Sequence, residues 1–205
     1  MRDRDLVRLH WPAPLRPAFD ALFDLDEALA EVVGRAHEPA LGAIKLAWWG
    51  ERLAALDAGE VPAEPRLQAV AAELLPRGIS GAALAELTQG WTTLLEEAPD
   101  VERMGQGGAR LFAIAARLLG ASDPLIETAG RLYRQEQVAR RDLTTVQWPM
   151  DELHRLAGHQ FARELRPLTA LAALAARDAR RPAVETEATP GRSWKLIRHR
   201  LTGRI

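Results

Sequence analysis

Apolar positions recur every three or four residues along most of this chain, the spacing of amphipathic helices, and prolines and glycines cut the pattern into helix-sized blocks. Roughly eight helices are predicted on that basis. Residues 17 to 36 open with Pro17 in the first turn, 39 to 58 follow, and GEVPAEP at 59 to 65 closes them off. A short helix over 65 to 75 stops at Pro76-Arg77-Gly78. Ser80 fits the cap of a helix over 81 to 98, Pro99-Asp100 restarts the chain as far as Leu119, and Gly120 supplies a left-handed stop. Ser122 and Pro124 suit the N-cap and first position of a helix reaching about Asp142. Trp148-Pro149 begins a short helix, and 159 to 180 make a long one. The expected organisation is one helical domain over 1 to 180, a linker at 181 to 191 with two prolines and one glycine, and a basic amphipathic tail over 192 to 205.

Composition sharpens the fold class. The chain has 37 Ala and 31 Leu against 25 Val, Ile and Thr together, so strong helix formers dominate and the β-branched set is sparse. An all-α fold is expected. Lys and Arg number 27 against 28 Asp and Glu, a balance that argues against a nucleic-acid partner, which would call for excess cations. With no cysteine there is no disulfide, thiolate metal site or cysteine nucleophile. The first residues, MRDRDLVRLHWPAP, lack the apolar run of a signal peptide, and no stretch approaches the roughly 18 to 20 uncharged apolar residues of a spanning helix. The expected location is the cytoplasm, either in solution or peripheral to a membrane. No phosphate-binding glycine loop, HExxH or GxSxG is present, and the five histidines are scattered.

Four constellations carry candidate chemistry. On the first long helix Asp20, Asp24, Glu27 and Glu31 are spaced 4, 3 and 4 and form one narrow stripe, opposite Ala18, Leu22, Leu25, Leu29, Val32 and Val33. The stripe is either a solvated acidic face or a set of hard-cation ligands able to hold Mg²⁺ against a phosphorylated molecule. Asp26 stands apart from it, at the edge of the apolar face. On the next helix Lys45 and Arg52 lie a heptad apart beside Leu41, Ile44 and Trp48, placed either to pair with the acids or to recognise a diphosphate. Glu136 interrupts the apolar line Leu125, Ala129, Leu132, Ala139, Leu143, so it is either paired with an arginine or faces a polar cavity. The tail sets Trp194, Ile197, Leu201 and Ile205 on one face with Arg192, Lys195, Arg198, Arg200 and Arg204 and no acid. Such a helix packs its apolar face on the parent domain, or lies on anionic lipid or a protein partner.

The segment from His37 to Leu53, HEPALGAIKLAWWGERL, resembles the EPxLGxIRLQWWRxxL signature of the squalene/phytoene synthase family. Ala21-Leu22-Phe23 before an acidic helix, Gly130-Arg131-Leu132-Tyr133, and Trp148-Pro149-Met150-Asp151-Glu152-Leu153 are similar to three further family segments and occur in the same order. The resemblance implies the isoprenoid-synthase helical fold, shortened. It also implies a substrate pocket at Lys45, Trp48, Arg52, Tyr133 and Glu136, and, for an active member, Mg²⁺ on Asp24, Glu27, Glu31 and Asp142. The chain departs from the family in its acids: Ala30, Glu31 and Gly34 stand where the first motif has aspartates, and the second motif is reduced to Arg141-Asp142. Expected therefore is a degenerate, non-catalytic member that needs no cofactor, binding an isoprenoid or lipid or serving as an assembly factor, as a complex I assembly factor of that family does. Prenyl diphosphate transfer on a rebuilt metal site is the enzyme alternative, and a helical interaction module at a membrane surface the third.

Overall fold

The computed structural model describes residues 2–145 and 147–205, and among them the chain is all-α. Eleven α-helices follow one another: α1 (Asp3–Arg8), α2 (Arg16–Gly34), α3 (Pro39–Ala55), α4 (Pro65–Glu73), α5 (Gly81–Ala85), α6 (Leu87–Thr92), α7 (Val101–Leu118), α8 (Ile126–Arg140), α9 (Met150–Leu156), α10 (Arg166–Asp178) and α11 (Pro190–Thr202). Extended pairing among the described residues is limited to one isolated bridge between Gln160 and Arg204.

The helix ends follow from local chemistry. Ser80 accepts from the Ala83 N–H at 3.2 Å, Asp100 from Arg103 at 3.0 Å and Glu64 from Leu67 at 2.8 Å, each satisfying a free first-turn donor. Asp57 reaches across from the end of α3 to take the Gly81 and Ala82 N–H groups at 2.6 and 2.9 Å, so α5 starts on another element's carboxylate. Gly120 closes α7 at φ +66°.

α2 and α10 supply the core. Leu22, Leu25 and Leu29 of α2 are fully buried, and every residue of α10 from Leu168 to Ala176 is buried. α7 and α8 approach each other through glycine: a Cβ placed on Gly108 would fall on the carbonyl oxygen of Gly130, and one on Gly130 would fall on that of Gly108. At the neighbouring residue of α7, a Cβ on Gly90 of α6 would sit 2.7 Å from the Gly107 Cα. Three helices are thus locked backbone to backbone.

Three boundaries and one helix differ from the sequence expectation. The helix expected over 159 to 180 starts only at Arg166, because Pro167 is tolerated in a first turn but not in an interior, and the Phe161 N–H donates instead to the Gly203 carbonyl at 2.9 Å. α8 begins at Ile126, not after Ser122, since the Asp123 carboxylate takes the Leu125 N–H at 2.8 Å and faces His159. The helix expected to run to 98 closes at Leu95, ahead of Pro99, whose ring disfavours helix in the residue before it. Helix α1 had no counterpart in the hydrophobic pattern.

The glycine lock sets a graded test. Gly108→Ala or Gly130→Ala is expected to lower unfolding stability by about 1–3 kcal/mol or more through overpacking. Gly120→Ala, where nothing lies within 4 Å, is expected to cost only about 1 kcal/mol of left-handed backbone strain. Urea denaturation of the three variants ranks them; equal losses would show that close approach is not the constraint.

Candidate functional site

The acidic stripe of α2 is covered by arginines. Arg8 of α1 holds Asp20 through two bonds of 2.5 and 2.6 Å, and Arg4, one turn earlier, bonds Asp24 at 2.6 Å. The i,i+4 spacing on α1 matches the i,i+4 spacing on α2. Glu27 takes Arg141 at 2.6 Å, and Glu31 lies 3.6 Å from Arg35 and 3.8 Å from Arg66. Asp142 is exposed at φ +52°, outside this line. The four acids named for Mg²⁺ therefore do not converge as a donor set. Among the described residues no group of three or more His, Asp or Glu side chains is placed to hold a metal ion. Nor do Lys45 and Arg52 partner the stripe: the partners come from α1, α4 and the ends of α2 and α8.

Beneath α1 lies a polar cleft of about 210 Å³ bordered by Glu27, Tyr133, Glu136, Gln137, Arg140, Arg141 and Arg192. Two of the expected pocket residues, Tyr133 and Glu136, meet here. Lys45, Trp48 and Arg52 do not border it: Lys45 and Trp48 are exposed on α3, and Arg52 is half-buried with its Nε lacking a hydrogen-bond partner.

The floor of the cleft is an ion cluster centred on Arg192, which is fully buried. Its guanidinium donates to Asp3 at 2.6 Å, to both oxygens of Asp178 at 2.7 Å and to Glu136 at 3.3 Å. Arg140 donates to Glu136 at 2.5 and 2.9 Å and to Asp178 at 3.0 Å. Glu136 is thus paired, as one reading of its sequence position required, with Arg140 and with an arginine 56 residues away. Three carboxylates face two guanidiniums, and burial pushes the Glu136 carboxyl up despite the two arginines. Burial pushes the Tyr133 hydroxyl up as well. The loop after α10 is tied to the same cluster, with the Glu185 N–H on Asp178 at 3.1 Å and the Ala188 N–H on Asp3 at 2.9 Å. Arg177 beside it holds the Glu185 carboxyl down to about 2. A second buried pair joins Asp26 of α2 to Arg134 of α8 at 2.6 Å, with the Trp91 indole N–H on the same oxygen at 2.9 Å and its ring 3.9 Å from the guanidinium carbon.

On α11 the structure turns three of the four stripe residues outward, against the expectation that the tail packs its apolar stripe inward, and keeps only Ile205 half-buried against the core. Arg192, Leu196 and His199 are buried, while Trp194, Ile197 and Leu201 are 67%, 49% and 74% exposed. Two polar anchors decide the orientation. Arg192 enters the ion cluster, and His199 sits between Arg204 and Thr169. The His199 Nδ1–H donates to the Arg204 carbonyl at 3.0 Å, and Nε2 lies 2.9 Å from the Thr169 hydroxyl, which also donates to the Leu165 carbonyl at 3.1 Å. Burial lowers the His199 pKa to about 4. Arg198 and Arg200 lie exposed on either side of the outward stripe.

Asp3, Arg4, Arg8 and Asp178 were not singled out from the sequence. Asp178, a lone carboxylate at the end of an Ala/Leu run, gives the same signal as Glu136. The Arg4 and Arg8 spacing is legible only beside that of Asp20 and Asp24. Comparison with protein-family models, with curated proteins and with solved structures finds no match to this chain.

Replacing Arg192 by Met leaves the three carboxylates facing one guanidinium and is expected to cost about 3–5 kcal/mol. Chemical denaturation measures the loss, and amide exchange should show α11 opening first. His199 makes α11 sensitive to acid. With its folded pKa below the ordinary 6.5, the neutral ring stabilises the fold fully above pH 6.5, and that stability drains away as pH falls toward 4. Between pH 7.5 and 4 the stability advantage of the native chain over His199→Asn should shrink by on the order of 3 kcal/mol. A constant difference across that range would contradict this.

Proposed function

We propose that the chain is a non-catalytic helical interaction module of squalene/phytoene synthase-like build that docks on an anionic membrane surface through α11, in the manner of an assembly factor. The observation that carries the reading is the outward stripe of Trp194, Ile197 and Leu201, three large apolar side chains left in solvent on a helix with no acid. An aromatic and aliphatic face bordered by Lys and Arg is the composition that settles into the boundary between headgroups and acyl chains. Lys195, Arg198, Arg200 and Arg204 add attraction of about 1 kcal/mol each near an anionic leaflet. No described helix is long and apolar enough to cross a membrane, so the reading concerns the surface alone.

The absence of catalysis is supported by the acids. Ionising a prenyl diphosphate calls for carboxylates that converge on metal ions. Here Asp24, Glu27 and Glu31 are engaged by arginines of other helices. Storage of an isoprenoid chain finds less support, because the cleft that holds Tyr133 and Glu136 is bordered by charged groups.

Sedimentation with vesicles tests the proposal. Binding is expected to phosphatidylglycerol vesicles, to weaken with salt, and to be absent for phosphatidylcholine. Trp194→Ala with Leu201→Ala should weaken it at least tenfold, a change of about 1.4 kcal/mol. The same protein given Mg²⁺ and farnesyl diphosphate should release no condensed product. Equal binding by the double variant, or an enzyme-dependent product, overturns the corresponding half of the proposal.

A further inference from the structure

At the far end of α11 from the ion cluster, a groove of about 400 Å³ is bordered by His10, Arg163, Arg166, Pro167, Arg200 and Leu201. Three guanidiniums border it and no carboxylate does. That sets it apart from the cleft beneath α1, where Arg4, Arg140, Arg141 and Arg192 each hold an acid. Among the described residues no carboxylate lies within ion-pair distance of Arg163, Arg166 or Arg200.

Arg166 is fixed in place by carbonyls rather than by charge. Its Nε donates to Phe161 at 3.3 Å, and its Nη1 donates to Arg200 at 3.1 Å and to Leu201 at 2.8 Å. Those bonds hold the plane of the guanidinium and leave it without a carboxylate partner, so an incoming anion has little ordering to impose there. Arg163, from the loop before α10, and Arg200, from the last turn of α11, are exposed and reach the same groove from different segments.

We propose that this groove binds a phosphate monoester. A monoester carries close to two negative charges and three terminal oxygens, which suits the forks of Arg163 and Arg200 together with the Nη2 group of Arg166, whose Nε and Nη1 are taken by carbonyls; a carboxylate or a phosphodiester offers one charge and two oxygens. The neighbouring His10 ring adds a polar nitrogen at the wall, and Leu201 links the groove to the outward stripe of α11. The bound group is either a free phosphate ester or the headgroup of a monoester lipid such as phosphatidic acid, whose chains would continue along that stripe. Only the lipid form rests on the membrane reading given above.

Glycerol 3-phosphate is the soluble probe, titrated by calorimetry and followed by the ring resonances of His10, with dimethyl phosphate and acetate as controls. Saturable binding of glycerol 3-phosphate, at least tenfold tighter than either control, is expected. Arg163→Gln with Arg200→Gln should weaken it at least tenfold, and the Lys pair at the same positions should restore part of the loss. Both side chains are exposed and hold no other element, so the fold should persist, which circular dichroism checks. In the second arm, phosphatidic acid vesicles are compared with phosphatidylglycerol vesicles of equal surface potential. Preference for phosphatidic acid that the Gln pair abolishes assigns the groove to a lipid headgroup; equal binding of the two vesicles, with glycerol 3-phosphate still bound, assigns it to a free ester. Failure to bind either vesicle with glycerol 3-phosphate binding intact removes the membrane reading and leaves the groove standing. No saturable binding of glycerol 3-phosphate, or binding untouched by the Gln pair, overturns the proposal.

Discussion

The Arg192 guanidinium gathers carboxylates from three separate stretches of chain, Asp3 of α1, Glu136 of α8 and Asp178 of α10, and is itself carried by α11. Charges withdrawn from water in this way are stable only if each hydrogen-bonding direction is met, and here the five donors of the guanidinium find nearly all of their acceptors. The consequence is positional. Four helices must hold one mutual arrangement for the cluster to be satisfied, and the loop over 181 to 188 is pinned to it through the Glu185 and Ala188 amides. Where the Ala-rich helices could slide on one another at small cost, this cluster fixes their register. The glycine contacts of α6, α7 and α8 do the same on the other side of α8 by steric means.

The same economy of arginine and acid governs what the surface of α2 can do. An i,i+4 pair of arginines laid over an i,i+4 pair of aspartates makes α1 a complement to α2 rather than an appendage. Carboxylates already satisfied by guanidiniums offer few free lone pairs to a cation. The cationic groove beside α11 is the counterpart, with arginines that have no such partner.

Helix formers and breakers made most of the fold legible. The starts of α2, α3 and α7 and the left-handed stop at Gly120 follow from Pro17, Pro39, Asp100 and Gly120 themselves. Pro167 carried the information that α10 cannot begin at 159, but the Ala/Leu periodicity on both sides of it obscured the break. Glu136 announced its own pairing because a carboxylate in an apolar line has few alternatives. The orientation of α11 was not legible. By apolar content Trp194, Ile197 and Leu201 belong inside, and the groups that outweigh them, Asp3, Glu136, Asp178 and Thr169, lie on other helices at sequence separations of 14 to 189 residues. One helix read alone gives no sign of partners so distant. The hydrophobic pattern likewise gave no hint of α1, six residues long and with four of them charged.

The way α11 is fastened has a thermodynamic corollary. Among its buried residues only Leu196 is aliphatic; the other two, Arg192 and His199, are polar. Its own share of the buried surface is mostly polar, so the apolar surface that its detachment would uncover lies chiefly on the Ala- and Leu-rich α10 against which it packs. The grip on this end of the bundle is therefore set as much by ionisation as by solvent-averse area.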